Sequence, residues 1–465
     1  MAEQAYDPLV DDYPAPSVLD PETYWASVAG PPPQDDGAIQ EGVEVDVAVI
    51  GGGYAGLSAA LSLARDYGIR AIVLEARSVA WGCSGRNGSF ARISGGRMPI
   101  AKLIKVYGEE VGKAYFNEML QALNGVRAII REGEIDCDVQ PDGVYKVAAF
   151  NAHVEALKRE TDLYNDLVGY PARFVPKQGL AGIHHGAEAH GAMYFPDGFS
   201  MNPLKLARGI CRLARRYGAR VHPNSPVIGW QRYGGVHHLR TPSGLVKARK
   251  VIVATNGYTS SRLNPSLAAR ILPVHSQIIV SAPMDEKQIA GSLPSGNCMF
   301  DTRGLLFYYR RLPDGRMMFG GRSAITGKDA ENPRHKAYMI DAMRRKFPAL
   351  SQATVDYWWG GWVAVSMNSL PFVYAVPGQD QVFCGGGYAG SGVSFSVHVG
   401  SKLAMMAAGR TFATGASFLT REPRKYPFPA FMRLGQRIAY RVMQRKDTRE
   451  SSKRACHCST SNEAR

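Results

Sequence analysis

Cysteine is scarce in this chain. Seven residues in 465, irregularly spaced, do not suggest a disulfide framework and suit a reducing compartment. No apolar run reaches the ~20 residues needed to span a bilayer. Histidine is sparse too, at eleven. The one cluster, His184, His185 and His190 in "GIHHGAEAH", fits no standard metal spacing and reads as loop histidines. There is no Ser–His–Asp set worth defending and no nucleic-acid motif. The opening "MAEQAYDPLVDDYPAP" is acidic and proline-broken, unlike a secretory signal or presequence. The closing "SNEAR" is no peroxisomal address. The expected location is the cytoplasm.

Positive charge is missing from one end and concentrated at the other. The first 46 residues hold eleven acidic side chains and no Lys or Arg, although the whole chain has a net charge of +15. From Arg421 to Arg465 there are twelve basic and four acidic residues. Such a tail suits an acidic partner or an anionic surface. Hydrophobic content of 45% and charged content of 20% are those of a globular protein, long enough for two domains.

The glycines at positions 51, 52, 53 and 56 carry the strongest local signal. "VAVIGGGYAGLSAALSLA" reads as a buried strand, a glycine turn and a helix. Its Gly51-x-Gly53-x-x-Gly56 order supplies a tight turn, a close backbone approach to a pyrophosphate and strand–helix packing. The helix N-terminus then offers unpaired N–H groups to phosphate. "GIRAIVLEAR" supplies a second strand ending at Glu75, 19 residues past Gly56. That is close to the ~20 expected of a carboxylate that accepts ribose hydroxyls, and it disfavours a 2′-phosphate.

Two further glycine turns distinguish a flavin from a nicotinamide. "LEARSVAWGCSGRNGSF" and "VFCGGGYAGSGVSFSVHVGSKLA" resemble, in that order, the second loop and the distal strand–turn–helix of the D-amino acid oxidase-like (DAO) family of FAD oxidoreductases. The chain departs from the family pattern at Cys83, Ser89, Ala389 and Ser391. "DTRGLLFYYRRLPDGRMMFGGRS", "YWWGGWVAVSMNSLPFV" and "RKYPFPAFMR" look most like the gamma-glutamylputrescine oxidoreductases within it, although Asn368-Ser369-Leu370-Pro371 lacks the arginine of the family's S-R-L-P.

The resemblance implies an α/β fold, a glutathione-reductase-like Rossmann FAD-binding domain interleaved with an α+β substrate domain built on an antiparallel sheet. The expected segments are an acidic arm (1–43), the FAD-binding domain (44–100, 200–260 and 355–415), and the substrate domain with connecting helices (101–199 and 261–354). A helical segment (416–446) and a basic, disordered tail (447–465) follow. FAD, bound noncovalently, falls to Gly51, Gly53, Tyr54, Ala55 and Gly56, then to Glu75, Ala76, Arg77, Ser84, Gly85, Arg86, Asn87 and Gly88. Val227 and Thr255 join them, with Gly387, Tyr388, Ala389, Gly390, Ser391, Gly392 and Val393.

The implied chemistry is oxidation of an amine C–N bond, with hydride passing to flavin N5 and the imine hydrolysed to an aldehyde. The implied substrate is a gamma-glutamylated or carboxylate-bearing amine. Arg310, with Arg311 and Arg322 as rivals, would grip the carboxylate. His275 would orient the amine, Tyr309 would stand with Arg310 at the catalytic site, and Trp359 would belong to an aromatic wall. A D-amino acid or cyclic imino acid substrate is the alternative, and a catalytically silent flavoprotein module a third. Oxygen or a quinone would accept the electrons. The arginine and apolar stripes of residues 430–446 suit either packing on the protein itself or peripheral contact with a membrane.

Overall fold

A computed structural model describes residues 6–18 and 20–459. Two compact units divide the chain, and it passes between them several times. Unit 1 is Met1–Val139, Met201–His275 and Trp359–Pro427, and unit 2 is Gln140–Ser200, Ser276–Trp358 and Phe428–Arg465.

Unit 1 is a Rossmann-type layer structure. The strands Gly42–Ile50, Ile72–Leu74, Arg220–His222, Leu245–Val253 and Val382–Gly386 run parallel, and Phe372–Ala375 closes one edge antiparallel. Their Val-, Ile- and Leu-rich sequences suit strands buried on both faces. Ile50 is in register with Leu74 on one side and Val253 on the other, so the loops that follow these strands emerge at one edge of the sheet. In such sheets that carboxyl edge is where ligands bind.

The helix Tyr54–Tyr67 lies directly after the first strand, and every residue from Tyr54 to Leu63 is buried. Burial on every side, with only Ser58 and Ser62 polar among small and apolar residues, belongs to a helix enclosed by its neighbours. The helix Gly392–Ala407 packs against it. Helix Pro203–Arg216 starts at Asn202, whose side chain accepts the N–H groups of Leu204 and Lys205, a strong N-cap.

The helices Ile100–Tyr107 and Glu109–Glu132 also belong to unit 1, whereas the sequence reading placed them with the substrate domain. The reason is a buried carboxylate. Glu118 contacts His398 at 2.5 Å and Lys402 at 3.0 Å, both on the distal helix. Burial pushes the Glu118 carboxyl up, but the His398 hydrogen bond and the Lys402 charge outweigh it and hold it at about 2, below its usual value.

Unit 2 is built on an eight-stranded sheet in the order Val355–Ser366, Ile271–Pro283, Arg316–Arg322, Tyr308–Arg311, Cys298–Asp301, Val144–Val147, Gly191–Phe195, Arg173–Pro176. One pair, Cys298–Asp301 with Val144–Val147, is parallel. Helix Pro333–Lys346 covers one face, burying Met339, Ala342 and Met343 among Tyr309, Phe319 and Phe347. The helix Met432–Ser459 continues through the stretch expected to be a disordered tail. Residues 460–465 of that tail, and residues 1–5 and 19 of the arm, lie outside the described residues.

Candidate functional site

The first glycine turn is set by close backbone contacts. Gly51 has φ +108°, a conformation side chains rarely adopt, and its N–H donates to Leu74 O at 2.8 Å. A Cβ on Gly56 would stand 1.9 Å from Gly51 O, so only glycine lets the helix start this near the strand. Ser84 Oγ accepts the Tyr54 N–H at 3.0 Å. The amides of Ala55 and Gly56 follow in the first turn, where a helix has no internal acceptors for its N–H groups.

Glu75 stands beside this turn. Its Oε2 accepts the Gly52 N–H at 2.7 Å and its Oε1 the Arg77 N–H at 3.0 Å. Burial raises its pKa, and the backbone donors oppose that rise. Thr255 is the neighbour of Gly51 across the sheet edge, and its hydroxyl is 2.6 Å from that of Thr259. Val227 packs at the margin of the sheet's apolar core.

The distal turn repeats the design. Ala389 and Gly390 hold φ of +50° and +109°. Ser391 Oγ donates to Tyr388 O at 2.7 Å and accepts the Gly96 N–H at 2.7 Å. The helix Gly392–Ala407 then begins with no side-chain cap. Asn256, which the sequence reading passed over, accepts the Gly387 N–H through Oδ1 at 2.9 Å. Its signal was the Asn-Gly pair in "ATNGYTS", a turn dipeptide, and Asn256 itself has φ +48°.

Three side chains expected on the cofactor are also tied to neighbouring backbone or rings. Arg77 donates to Pro16 O at 2.9 Å and Val18 O at 2.5 Å. Asn87 Nδ2 donates to the carbonyls of Cys83 and Ser84, and its Oδ1 accepts the Ser89 N–H. Arg86 lies 3.9 Å over the Trp81 ring and donates to Trp81 O at 2.6 Å. Gly85 donates its N–H to Ala80 O at 3.0 Å, while Ala76 and Gly88 add backbone to the same loop. Trp359 donates to Arg86 O at 2.9 Å, so in unit 1 it positions this loop.

The acidic arm presses on the same loop. Trp25, 1% exposed, donates to Asn87 O at 3.0 Å and meets Trp359 edge to face. Tyr6 stacks on Tyr258, and its carbonyl accepts the indole Nε1–H of Trp362 at 3.2 Å. Asp36 pairs with Arg215 and Asp12 with Arg262, each at 2.9 Å. Trp25 and Tyr24 were legible as a docking segment, but its target was not.

This cradle fits FAD. Arg86 Nη2, Trp81 Nε1 and the Tyr388 hydroxyl are buried polar atoms without hydrogen-bond partners among the described residues, and groups of that kind normally have one. Together with two helix N-termini and the Glu75 carboxylate, they suit a long, polar, phosphate-bearing ligand with a heteroaromatic end.

In unit 2, strand alternation divides the expected substrate residues. Tyr309, expected at the catalytic site beside Arg310, lies in the core, 0% exposed among Phe319 and Phe347, with its hydroxyl 3.0 Å from His184 Nε2. Neighbouring residues on a strand face opposite ways, so Tyr308 and Arg310 share the face away from the core helix. The Tyr308 hydroxyl is 3.0 Å from Ser276 Oγ. Arg310 is 1% exposed, its Nη1 held by Ser200 Oγ at 2.9 Å and by Gln140 Oε1. Arg322 is in register with Ser276, and its buried Nη1 has no hydrogen-bond partner among the described residues. Arg311 donates to Pro294 O at 2.9 Å. His275, in unit 1, lies 4.8 Å from the Trp362 ring.

Residues 46–406 match the family model for FAD dependent oxidoreductases (DAO). The chain belongs to this family: it is an FAD-dependent oxidoreductase with the DAO-type fold. It is similar to the gamma-glutamylputrescine oxidoreductase of Escherichia coli strain K12, 29% identical over 371 residues that make up 80% of this chain and 85% of that one. A probable oxidoreductase OrdL of Rhizobium meliloti strain 1021 is 30% identical, over 79% and 84% of the two chains. Among solved structures, glycine oxidase from Geobacillus kaustophilus superposes with a TM-score of 0.70 at 20% identity, covering 82% of this chain and 99% of that one. No helix among the described residues is long and apolar enough to cross a membrane.

Substitution of Glu75 by Ala is expected to weaken FAD binding by about 1.5–3 kcal/mol, the usual worth of hydrogen bonds to a charged group. Titration of the apoprotein with FAD measures it. An unchanged dissociation constant removes Glu75 from the site.

Proposed function

We propose that the enzyme oxidises the C–N bond of an amine that also carries a carboxylate, with a gamma-glutamylated amine such as gamma-glutamylputrescine as the substrate class. Bound FAD would supply the two-electron acceptor, and the protein would position the amine and exclude water. The observation that carries the reading is the polar face in unit 2, where Arg310 and Arg322 stand with Ser276 and Tyr308 on one side of the sheet. Arg310 is held in place by two neutral groups, and Arg322 has the unmatched Nη1. A planar guanidinium so fixed suits a carboxylate. The name of the Escherichia coli relative supports the glutamyl assignment. His275, with its ring against Trp362, is assigned to orienting the amine.

The flavin is assigned to noncovalent binding. Cys384 lies in a buried strand, where burial pushes its thiol up to about 12, far from the thiolate that bond formation needs. Cys83 sits in the short turn Cys83–Gly85 and is the remaining thiol of the cofactor loops. A lipid-soluble quinone or oxygen would take the electrons onward.

The test is anaerobic bleaching of the flavin by a panel of amines. Bleaching by glutamyl-amines supports the reading, whereas bleaching by free D-amino acids or cyclic imino acids alone overturns it. Arg322→Lys and Arg310→Lys are expected to raise KM for carboxylate-bearing amines roughly tenfold or more over plain diamines, since lysine lacks the bidentate fork. Equal losses on both substrate types would make the two arginines structural.

A further inference from the structure

Over its described side chains, residues 432–451, the helix Met432–Ser459 packs one side on the rest of unit 2. Met432 and Gln436 are buried, the Gly304 N–H donates to Asp447 Oδ1 at 3.1 Å, and Glu450 meets His153 at 2.5 Å. The other side carries an apolar line. Phe431, Leu434, Ile438 and Val442 are 61%, 51%, 55% and 59% exposed, and their spacing of three or four residues stacks them along one stripe. Of the fifteen exposed large apolar side chains among the described residues, six fall between positions 428 and 443. Scattered singles would need no explanation, but a concentrated patch does.

Charge identifies the occupant. Arg437, Arg441 and Arg445 recur every four residues beside the apolar stripe and are exposed. A shallow cleft lined by Arg441, Gln444, Arg445, Thr448 and Arg449 extends the basic surface. No acidic residue occurs between Glu422 and Asp447, and both Asp447 and Glu450 are turned onto unit 2. A second copy of this face would bring arginine against arginine. An anionic lipid surface instead accepts both features, with apolar side chains at the acyl boundary and guanidinium groups among the phosphates.

We propose that the outward face of this helix docks the enzyme, in the plane of the interface, on anionic bilayers. The surface is separate from the substrate chemistry, so its test does not depend on that reading. The holoenzyme is sedimented with phosphatidylcholine vesicles, alone or mixed with phosphatidylglycerol. Binding is expected to be about tenfold or more stronger to the mixed vesicles at low salt, and to be lost at high salt. Ile438→Glu and Val442→Glu should abolish it with flavin content and thermal midpoint unchanged, and Arg441→Gln with Arg445→Gln should weaken it severalfold. Absence of binding to mixed vesicles at low salt overturns the proposal, as does binding that survives Ile438→Glu. So does a dimer on gel filtration that Ile438→Glu converts to a monomer without any vesicle binding, since a second copy then covers the face.

Discussion

Gly56→Ala is expected to give a protein that leaves gel filtration without flavin. The added Cβ would stand 1.9 Å from Gly51 O and 3.2 Å from Val49 Cγ1. Real carbon atoms do not approach an oxygen so closely, and neither side of this contact can rotate away: one is a carbonyl in the turn, the other the first turn of a helix. The helix must therefore move off the strand. Overpacking of this kind costs roughly 1–3 kcal/mol in a packed core, which the fold can survive. The cofactor site cannot, because the displaced elements are the turn and the helix N-terminus that face the phosphates. Gly68, at the far end of the same helix with φ +66° and open space around it, is the control. Gly68→Ala should lower stability through backbone strain and keep its FAD. The measurement is flavin absorbance per chain after gel filtration, and a Gly56→Ala protein with full occupancy would refute the assignment.

Local patterns made the cofactor side readable. A glycine turn, its helix and the acid near position 75 depend on residues within one short segment, so their geometry is written in spacing alone. The loop after Glu75 was readable as backbone but not as side chains. Arg77, Arg86 and Asn87 are polar, and sequence gives no sign that their partners are Pro16, Trp81 and the loop's own carbonyls. The Asn368 departure has a similar explanation, since Oδ1 accepts the Leu370 N–H at 3.2 Å and the residue shapes its own turn. Tyr309 is a different kind of miss. The strand itself was read correctly, and period-two alternation alone separates Tyr309 from Tyr308 and Arg310. The long-range network of unit 2 was unreadable, because its charges lie at positions 188, 301, 303 and 346.

That network should dominate the stability of unit 2. Asp301 and Lys346 are fully buried and 3.1 Å apart, and Arg303 joins both Asp301 and Glu188. Asp301 also accepts the Phe307 N–H at 3.1 Å. Burial lowers the Lys346 pKa, and the Asp301 charge opposes that shift. Removing the acid would leave two cations facing Glu188 alone, and breaking a buried pair in this way costs about 3–5 kcal/mol. Asp301→Asn is therefore expected to lower the denaturation midpoint sharply. Lys346→Met should cost less, because Asp301 keeps Arg303 and a buried charge is removed, and the double variant should recover part of the Asp301→Asn loss. His184 adds a pH signature. Its Nδ1 accepts the Gly186 N–H at 2.9 Å, which places the proton on Nε2, beside the Tyr309 hydroxyl. Burial first, and the Lys346 charge second, lower its pKa to about 3, against about 6.5 in an unfolded chain. The folded state thus binds its proton later than the unfolded state, so stability is unaffected above about pH 6.5 and falls as pH drops toward 3. Lys346→Met should soften that fall by letting His184 protonate at higher pH. Denaturation midpoints across this range test both claims, and equal midpoints for Asp301→Asn and the parent protein would show that the buried charges do not stabilise unit 2.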